Sequence, residues 1–402
     1  MEKNFFELGT CQLKEIARSL HDKVENGLKK ENTEIQCIPT FINPKTSGIK
    51  GKSLVLDLGG TNYRVATVDF NESNPSIHPK NGWKKDLSIM KTPGFTQEQL
   101  FKEQGDPIGE TKRDSAMPIG YCFSYPAESL PNGDAKLLRW TKGVDIKEMV
   151  GEPIGKPFLD YLNEKNDIKF TNVKVINDTV ASLFAGLTDT NYDAYIGLIV
   201  GTGTNMATFI HSDKITKLDP PSIQPGLVPV NLESGNFLPP HLTSIDGIVD
   251  ALSDSKGRQR FEKAVSGMYL GEIMKASFPF DEFENRFDAQ NLTTIISYPD
   301  LYQEKFVHVA GWIYERSAKL VAASLAGLVS VLVSHDESVK RVRLIAEGSL
   351  FWSENKKGEN YKDIVKATLH ALLAEEGLKD VDVRIDQMEN ANLIGTAIAA
   401  LS

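Results

Sequence analysis

Cysteine is scarce in this 402-residue chain: Cys11, Cys37 and Cys122 are widely spaced and odd in number. That excludes a disulfide framework and a clustered thiolate metal site, and it fits a reducing compartment. Positive charge is also short, with 45 Lys and Arg against 54 Asp and Glu for a net charge of −9. This sign repels phosphate backbones and acidic lipid surfaces, so neither nucleic acid nor membrane is expected as a partner. The opening MEKNFFELGT lacks a basic segment followed by an apolar run, so no secretory signal is read there and a cytoplasmic location is expected. The most apolar run, LVAASLAGLVSVLV at 320–333, is shorter than the roughly 18 to 20 residues that span a bilayer. Its small residues fall at every helical phase, which predicts a buried central helix. The remaining composition, 41% hydrophobic and 25% charged, is that of a chain able to bury a large core. At about 150 residues per domain the length holds two to three domains' worth of material.

Residues 1–30 place Leu13, Ile16, Leu20, Val24 and Leu28 at helical spacing, predicting an amphipathic helix packed on the body. SLVLDLGGTNYRVATVDF then reads as two strands joined by a tight turn at Gly59-Gly60-Thr61-Asn62. YIGLIVGTGTNMATFI repeats the plan around Gly201-Thr202-Gly203-Thr204-Asn205. Two such hairpins a domain apart predict a structural duplication, with two related lobes facing a cleft. The segment GIKGKS at 48–53 ends like a GxxxxGK[ST] phosphate loop. Thr46 stands where the first glycine belongs, however, and the segment precedes a strand where a P-loop would open a helix.

The two glycine–threonine hairpins are the best phosphate-binding candidates, because successive backbone N–H groups make an anion-binding concavity and hydroxyls add donors without charge. Either one alone also reads as a plain hairpin turn. Asp57, at a strand end, is a candidate to hold Mg²⁺ through water. In KVINDTVASLFAGL, Asn177-Asp178 sits where a strand gives way to a helix. Asp178 there suits a general base for a substrate hydroxyl, and it equally suits a helix N-cap, the better reading of the segment in isolation. Ser124, Thr141, Lys142 and Glu233 are taken alone as ordinary surface or loop groups. Gln259, Glu262 and Lys263 by spacing make an exposed helix face with common salt bridges.

In order and spacing, these segments together resemble the hexokinase family. FSYP followed by WTKG within 119–143 resembles the family's sugar-binding signature, DLGGTNYRV its first phosphate motif and GTGTN its second. INDTVA resembles the catalytic-aspartate motif, FEKAVSGMYLGEI a family helix, and AEGSLF at 346–351 the adenosine-side motif. The resemblance covers about 50–350 and runs more weakly to the C-terminus.

The resemblance implies an α/β protein with the two-lobed actin-like ATPase (ribonuclease H-like) fold, its mixed sheets flanked by helices and its sugar and ATP cleft between lobes. The small lobe would span 50–176, with 390–402 crossing back to it. The large lobe would span 177–389, with 1–49 packed on it. The implied activity is ATP-dependent phosphorylation of a hexose, most simply glucose, at the 6-hydroxyl. Asp178 would be the general base, and Lys142 would offset charge on the transferring phosphoryl group. Ser124, Thr141, Lys142, Asn177, Asp178, Asn205, Glu233, Gln259 and Glu262 would bind sugar. Asp57, Gly59, Gly60, Thr61, Asn62, Arg64, Gly201, Thr202 and Gly203 would serve the nucleotide phosphates and Mg²⁺, and Gly348 and Ser349 would line the adenosine pocket. The chain departs from the family pattern where Ser234-Gly235-Asn236 replaces Trp-Gly-Ala, at Met268, where some relatives carry a lysine, and near Asn390, where a lysine is lost. A kinase for mannose, fructose or an N-acetylhexosamine, a sugar sensor without turnover, and an actin-like or chaperone-type ATPase are the alternatives.

Overall fold

The computed structural model describes residues 5–44, 48–109, 115–218 and 225–402; Thr46 lies outside them. The strands in chain order are β1 (Ile38–Pro39), β2 (Gly51–Gly59), β3 (Asn62–Asn71), β4 (Asn74–Asp86), β5 (Met117–Phe123), β6 (Ala127–Ser129) and β7 (Ala135–Leu137). After these come β8 (Phe170–Ile176), β9 (Ala194–Val200), β10 (Thr204–His211), β11 (Leu227–Asn231), β12 (Arg341–Glu347) and β13 (Asp382–Asp386). The helices begin with α1 (Thr10–Lys29), α2 (Gln97–Gly109), α3 (Gly155–Lys165), α4 (Asp178–Ala185), α5 (Ser244–Leu252) and α6 (Arg260–Val265). They continue with α7 (Gly267–Ser277), α8 (Ala289–Ser297), α9 (Glu304–His335), α10 (Tyr361–Glu375) and α11 (Ala391–Leu401). The phosphate-loop look-alike does run into a strand, with Gly51, Lys52 and Ser53 all in β2.

The chain divides into two compact units. The first comprises Met1–Cys37, Leu198–Met206 and Leu232–Gln387, the second Ile38–Gly197, Ala207–Asn231 and Met388–Ser402.

The second unit holds a five-stranded sheet of order β4-β3-β2-β5-β8. Its antiparallel hairpin pairs Gly59 with Asn62 and Asp57 with Arg64, while β2, β5 and β8 run parallel. Leu54, Leu56, Ile119 and Tyr121 bury one continuous face with Phe158 of α3 and Leu100 of α2. Parallel strands need helical crossovers, so this part of the chain alternates apolar runs with amphipathic helices. The C-terminal α11, almost wholly buried, packs on β2, β5 and α4.

In the first unit α1 buries all five residues that its spacing singled out, Leu13, Ile16, Leu20, Val24 and Leu28, chiefly against α9. Helix α9 is longer than the apolar run suggested. It extends over 32 residues, and by length and composition it is apolar enough to cross a membrane, which corrects the reading of that run as too short. Its most apolar window is 78% buried among other elements, so it serves as a core helix, with α10 and α8 also packed on it. In the same unit β12 pairs in parallel with β13, Arg341 opposite Asp382 and Ile345 opposite Asp386.

Candidate active site

In the second unit, three parallel strands end side by side and each delivers a polar group at its carboxyl end. Strand β2 ends just after Asp57, β5 runs into Ser124, and β8 runs into Asn177 and Asp178. Open α/β sheets bind ligands at this edge, because the chain turns outward there with unpaired backbone groups. Asn177 rather than Asp178 caps α4: its side chain accepts from Thr179 N at 2.8 Å, with backbone angles of −72° and 154°. Asp178 is the first helical residue, half-buried, and its Oδ1 also accepts from Thr179 N at 2.8 Å. The N-cap reading therefore belongs one residue earlier, and Asp178 keeps a carboxylate oxygen for other chemistry.

Asp57 is buried, and Arg64 donates to its Oδ2 through both Nε (2.8 Å) and Nη2 (2.5 Å). The same guanidinium reaches Asn390 Oδ1 at 3.3 Å, at the start of α11. Burial pushes the Asp57 carboxyl above its ordinary range. Arg64 and the thiol of Cys122, its register partner on β5, pull it back, and the negative charge of Asp178 pushes it further up. The turn between β2 and β3 is held by Tyr125, whose hydroxyl donates to Gly60 O at 2.6 Å. Lys142, itself in a left-handed backbone conformation, donates to Ser124 O at 3.1 Å and lies 5.2 Å from the Tyr125 ring centre. Asp57, Gly60, Ser124, Lys142 and Asp178 thus form one polar edge. Thr141 lies in the loop before Lys142, and Asn62 is exposed at the start of β3.

In the first unit the second hairpin is part of a different web. Glu262 Oε2 accepts from Thr204 N at 3.0 Å, and Gln259 Nε2 donates to Glu262 Oε1 at 3.3 Å. A Cβ on Gly203 would stand 2.7 Å from Glu262 Oε2, so only glycine lets the carboxylate come this close. Three donors converge on Asn205 Oδ1: Met206 N at 2.8 Å, Ser234 N at 3.1 Å and Ser234 Oγ at 3.4 Å. Glu233, next to Ser234, has a left-handed backbone with φ 55°. Asn205, Gln259 and Glu262 are therefore oriented by the protein before any ligand arrives. The exposed-face reading of 259–263 fails here, because Lys263 is only 2% exposed.

The turn of that hairpin borders a cavity of about 730 Å³ lined by Thr202, Met268, Asn285, Gln290, Thr293 and Ser349, among others. The first amides of α7 are spent on the hairpin itself: Gly267 N donates to Gly201 O at 2.6 Å and Met268 N to Thr202 O at 3.4 Å. Gly348, with φ 110°, brings its chain against Val200 and Gly201, where any side chain would collide with backbone. A second cavity of about 520 Å³, lined by residues of α2 and α3 such as Glu98, Lys102 and Tyr161, holds none of the predicted site residues.

Two family models, both described as hexokinase, match residues 2–187 and residues 195–278 and 282–402. The chain belongs to the hexokinase family. It is 28% identical to the hexokinase of Kluyveromyces lactis over 99% of this chain and 90% of that protein. It is 32% identical to human hexokinase HKDC1 over 67% of this chain, which spans only 30% of that longer protein. Among solved structures, a Schistosoma mansoni hexokinase complexed with glucose superposes with a TM-score of 0.77 at 26% identity, covering 99% of this chain and 97% of that one. A hexokinase of the ROK family from Thermus thermophilus, at TM-score 0.54 and 16% identity, shares the fold alone.

As a hexose kinase of the actin-like ATPase fold, the chain owes its site to more groups than its hexokinase motifs named. Tyr125, Ser234 as more than a departure from the family pattern, Asp250 and the cavity residues Asn285, Gln290 and Thr293 were not singled out. The first two stand next to motif residues and could have been found by asking what holds Gly60 and Asn205. The cavity residues come from a loop and helix with no local signature.

Proposed function

We propose that this hexokinase-family protein transfers the γ-phosphoryl group of ATP to the 6-hydroxyl of glucose. The convergence of Asp57, Ser124 with its Lys142, and Asp178 at the carboxyl ends of β2, β5 and β8 carries the reading. Asp178 would take the proton of the sugar hydroxyl as its oxygen bonds to phosphorus and the bond to the departing ADP breaks. Lys142 would offset the charge on the transferring group, and the turn amides around Thr61 and Thr202 would cradle the phosphates. Ser124, Thr141, Asn177, Asn205, Glu233, Gln259 and Glu262 would bind the other sugar hydroxyls. A sugar lacking one of these hydroxyls leaves an oriented polar group unpaired, which is how such a site selects.

Mg²⁺ fits the residues present. No group of three or more His, Cys, Asp or Glu side chains that could hold a metal occurs among the described residues, and magnesium asks for only one or two carboxylates beside substrate phosphates. Asp57 would hold it through water, where the cation would counter the burial that now disfavours the charged carboxyl. Bound there, Mg²⁺ supplies charge neutralisation on the phosphates. The cavity lined by Ser349 and Met268 would take the adenosine. Three free thiols support a cytosolic enzyme that feeds glucose into glycolysis.

The test is a panel of glucose, mannose, fructose and N-acetylglucosamine with Mg·ATP, read as ADP release and expressed as kcat/KM. Glucose is expected to give the highest value. A higher kcat/KM for another hexose would reassign the acceptor, and no turnover with any would overturn the kinase reading.

A further inference from the structure

Residues 253–259, which lead into α6, bury no side chain of their own: each is exposed or half-exposed. A loop of this kind is ordinarily mobile, because nothing apolar holds it down. Yet it ends at Gln259, whose φ of 53° is an unfavourable conformation for a side-chain-bearing residue and persists only where the surroundings impose it. Three residues on is Glu262, bonded to Gln259 and to Thr204 N.

The hold on this loop is ionic and lies beneath it. Asp250, on α5, and Lys263, on α6, are both buried, and Lys263 Nζ donates to Asp250 Oδ1 at 2.7 Å. The same ammonium donates to Ser255 O at 2.7 Å, near the middle of the loop. Both Asp250 oxygens accept from Gly257 N, at 3.0 and 3.1 Å, and Arg260 Nη1 stands 3.7 Å from Oδ2. The pair therefore grips the loop at two backbone points and grips the start of α6 through Lys263 itself. A buried ion pair is a poor way to gain stability, since well-packed apolar side chains do as well or better; one of its attested uses is to fix a register.

We infer that Asp250 and Lys263 are a positioning pair for hexose binding, holding the 253–259 loop and the first turn of α6 so that Gln259 and Glu262 meet the sugar already oriented. The inference rests on the reading of Gln259 and Glu262 as sugar contacts. Neither Asp250 nor Lys263 needs to touch the substrate. Their effect passes through the loop backbone, and errors of about an ångström in such placement are costly.

The experiment compares Asp250→Asn, Lys263→Gln, Gly257→Ala and, as reference, Glu262→Ala in the full-length enzyme. It measures hexose KM, ATP KM, kcat, melting temperature and amide exchange in 253–259. Asp250→Asn and Lys263→Gln should raise hexose KM about tenfold while ATP KM stays within about twofold, with faster exchange in the loop. Gly257→Ala leaves both side chains of the pair in the sequence and meets no neighbouring atom with its added Cβ, so its strain falls on the loop backbone, where φ is 79°. It should raise hexose KM about threefold. If Glu262→Ala raises hexose KM but the other three leave it unchanged, the positioning role is wrong and the sugar-site reading survives. If Glu262→Ala itself leaves hexose KM unchanged, both fall. A melting temperature lowered with hexose and ATP KM moved equally would make the pair structural only and would also overturn the inference.

Discussion

Two buried aspartates, each paired with an arginine and one in each unit, show how the same chemistry is put to different ends. In the first unit Asp246 and Arg316 meet fork to fork, Nη1 to Oδ2 at 2.7 Å and Nη2 to Oδ1 at 2.8 Å. Thr243 adds its N–H at 2.7 Å and its hydroxyl at 2.8 Å. Burial alone would raise the Asp246 carboxyl, but Arg316 and Thr243 outweigh it and hold the group below its usual range. In the second unit both Arg64 donors crowd one oxygen of Asp57, and Asp178 adds a like charge. There burial wins and the carboxyl is pushed up. The pair whose carboxyl is held down ties α5 to α9, whereas the pair whose carboxyl is pushed up lies at the strand ends beside the proposed base. Carboxyls raised by burial beside a like charge cluster at functional sites.

The comparison breaks most visibly at Asp178. Asp178→Ala should lower kcat by about a hundredfold to ten-thousandfold, the range for loss of a positioned general base, while equilibrium glucose binding measured by calorimetry persists. Retention of turnover would remove Asp178 from the chemistry. Next in size is Asp246→Asn, which should cost about 3 to 5 kcal/mol in chemical denaturation because it strands a buried guanidinium. The folded fraction should keep its kcat. Because the native carboxyl titrates below the ordinary aspartate value of 3.8, its stabilisation is present above that pH and fades as pH falls through the native value. Asp246→Asn should flatten this acid limb of the stability curve.

Asp57→Asn sharpens the contrast from the other side. The native carboxyl titrates above 3.8, so ionisation costs the folded state an energy that is absent below 3.8 and grows as pH rises through the native value. Removing the charge should therefore cost less stability at neutral pH than Asp246→Asn, while raising the Mg²⁺ concentration for half-maximal rate about tenfold. Equal stability losses in the two variants would end the distinction between the pairs. The smallest expected effect is at Ser234→Ala, which removes one long hydrogen bond to Asn205 while leaving Ser234 N in place. About 0.5 to 1.5 kcal/mol is at stake in such a bond, read as a rise of a few fold in hexose KM.

Much of this was legible in the residues. The hairpins at Gly59–Asn62 and 201–205, the buried face of α1 and the core helix α9 follow from local apolar periods and turn chemistry, which act over a few residues and leave a visible pattern. The identity of the helix cap was not legible: Asn177 and Asp178 are both good capping residues, and the extended backbone of Asn177, with its side chain on Thr179 N, makes it the cap. The burial of Lys263 was also hidden. Its helix neighbours read as an exposed charged face, and the partner that makes its burial tolerable, Asp250, lies on a separate helix.

The scarcity of cysteine and the net acidity narrowed the classes of partner, and the ordered phosphate, sugar and aspartate motifs by themselves determined the family. Those properties are sums or short strings, and they survive without a fold. Only the tertiary structure decided which carboxylates are satisfied, which amides of α7 are spent on a hairpin and which buried charge steadies a loop. Each of these depends on a partner far away in sequence, and in a low-dielectric interior the partner sets the energy of the group.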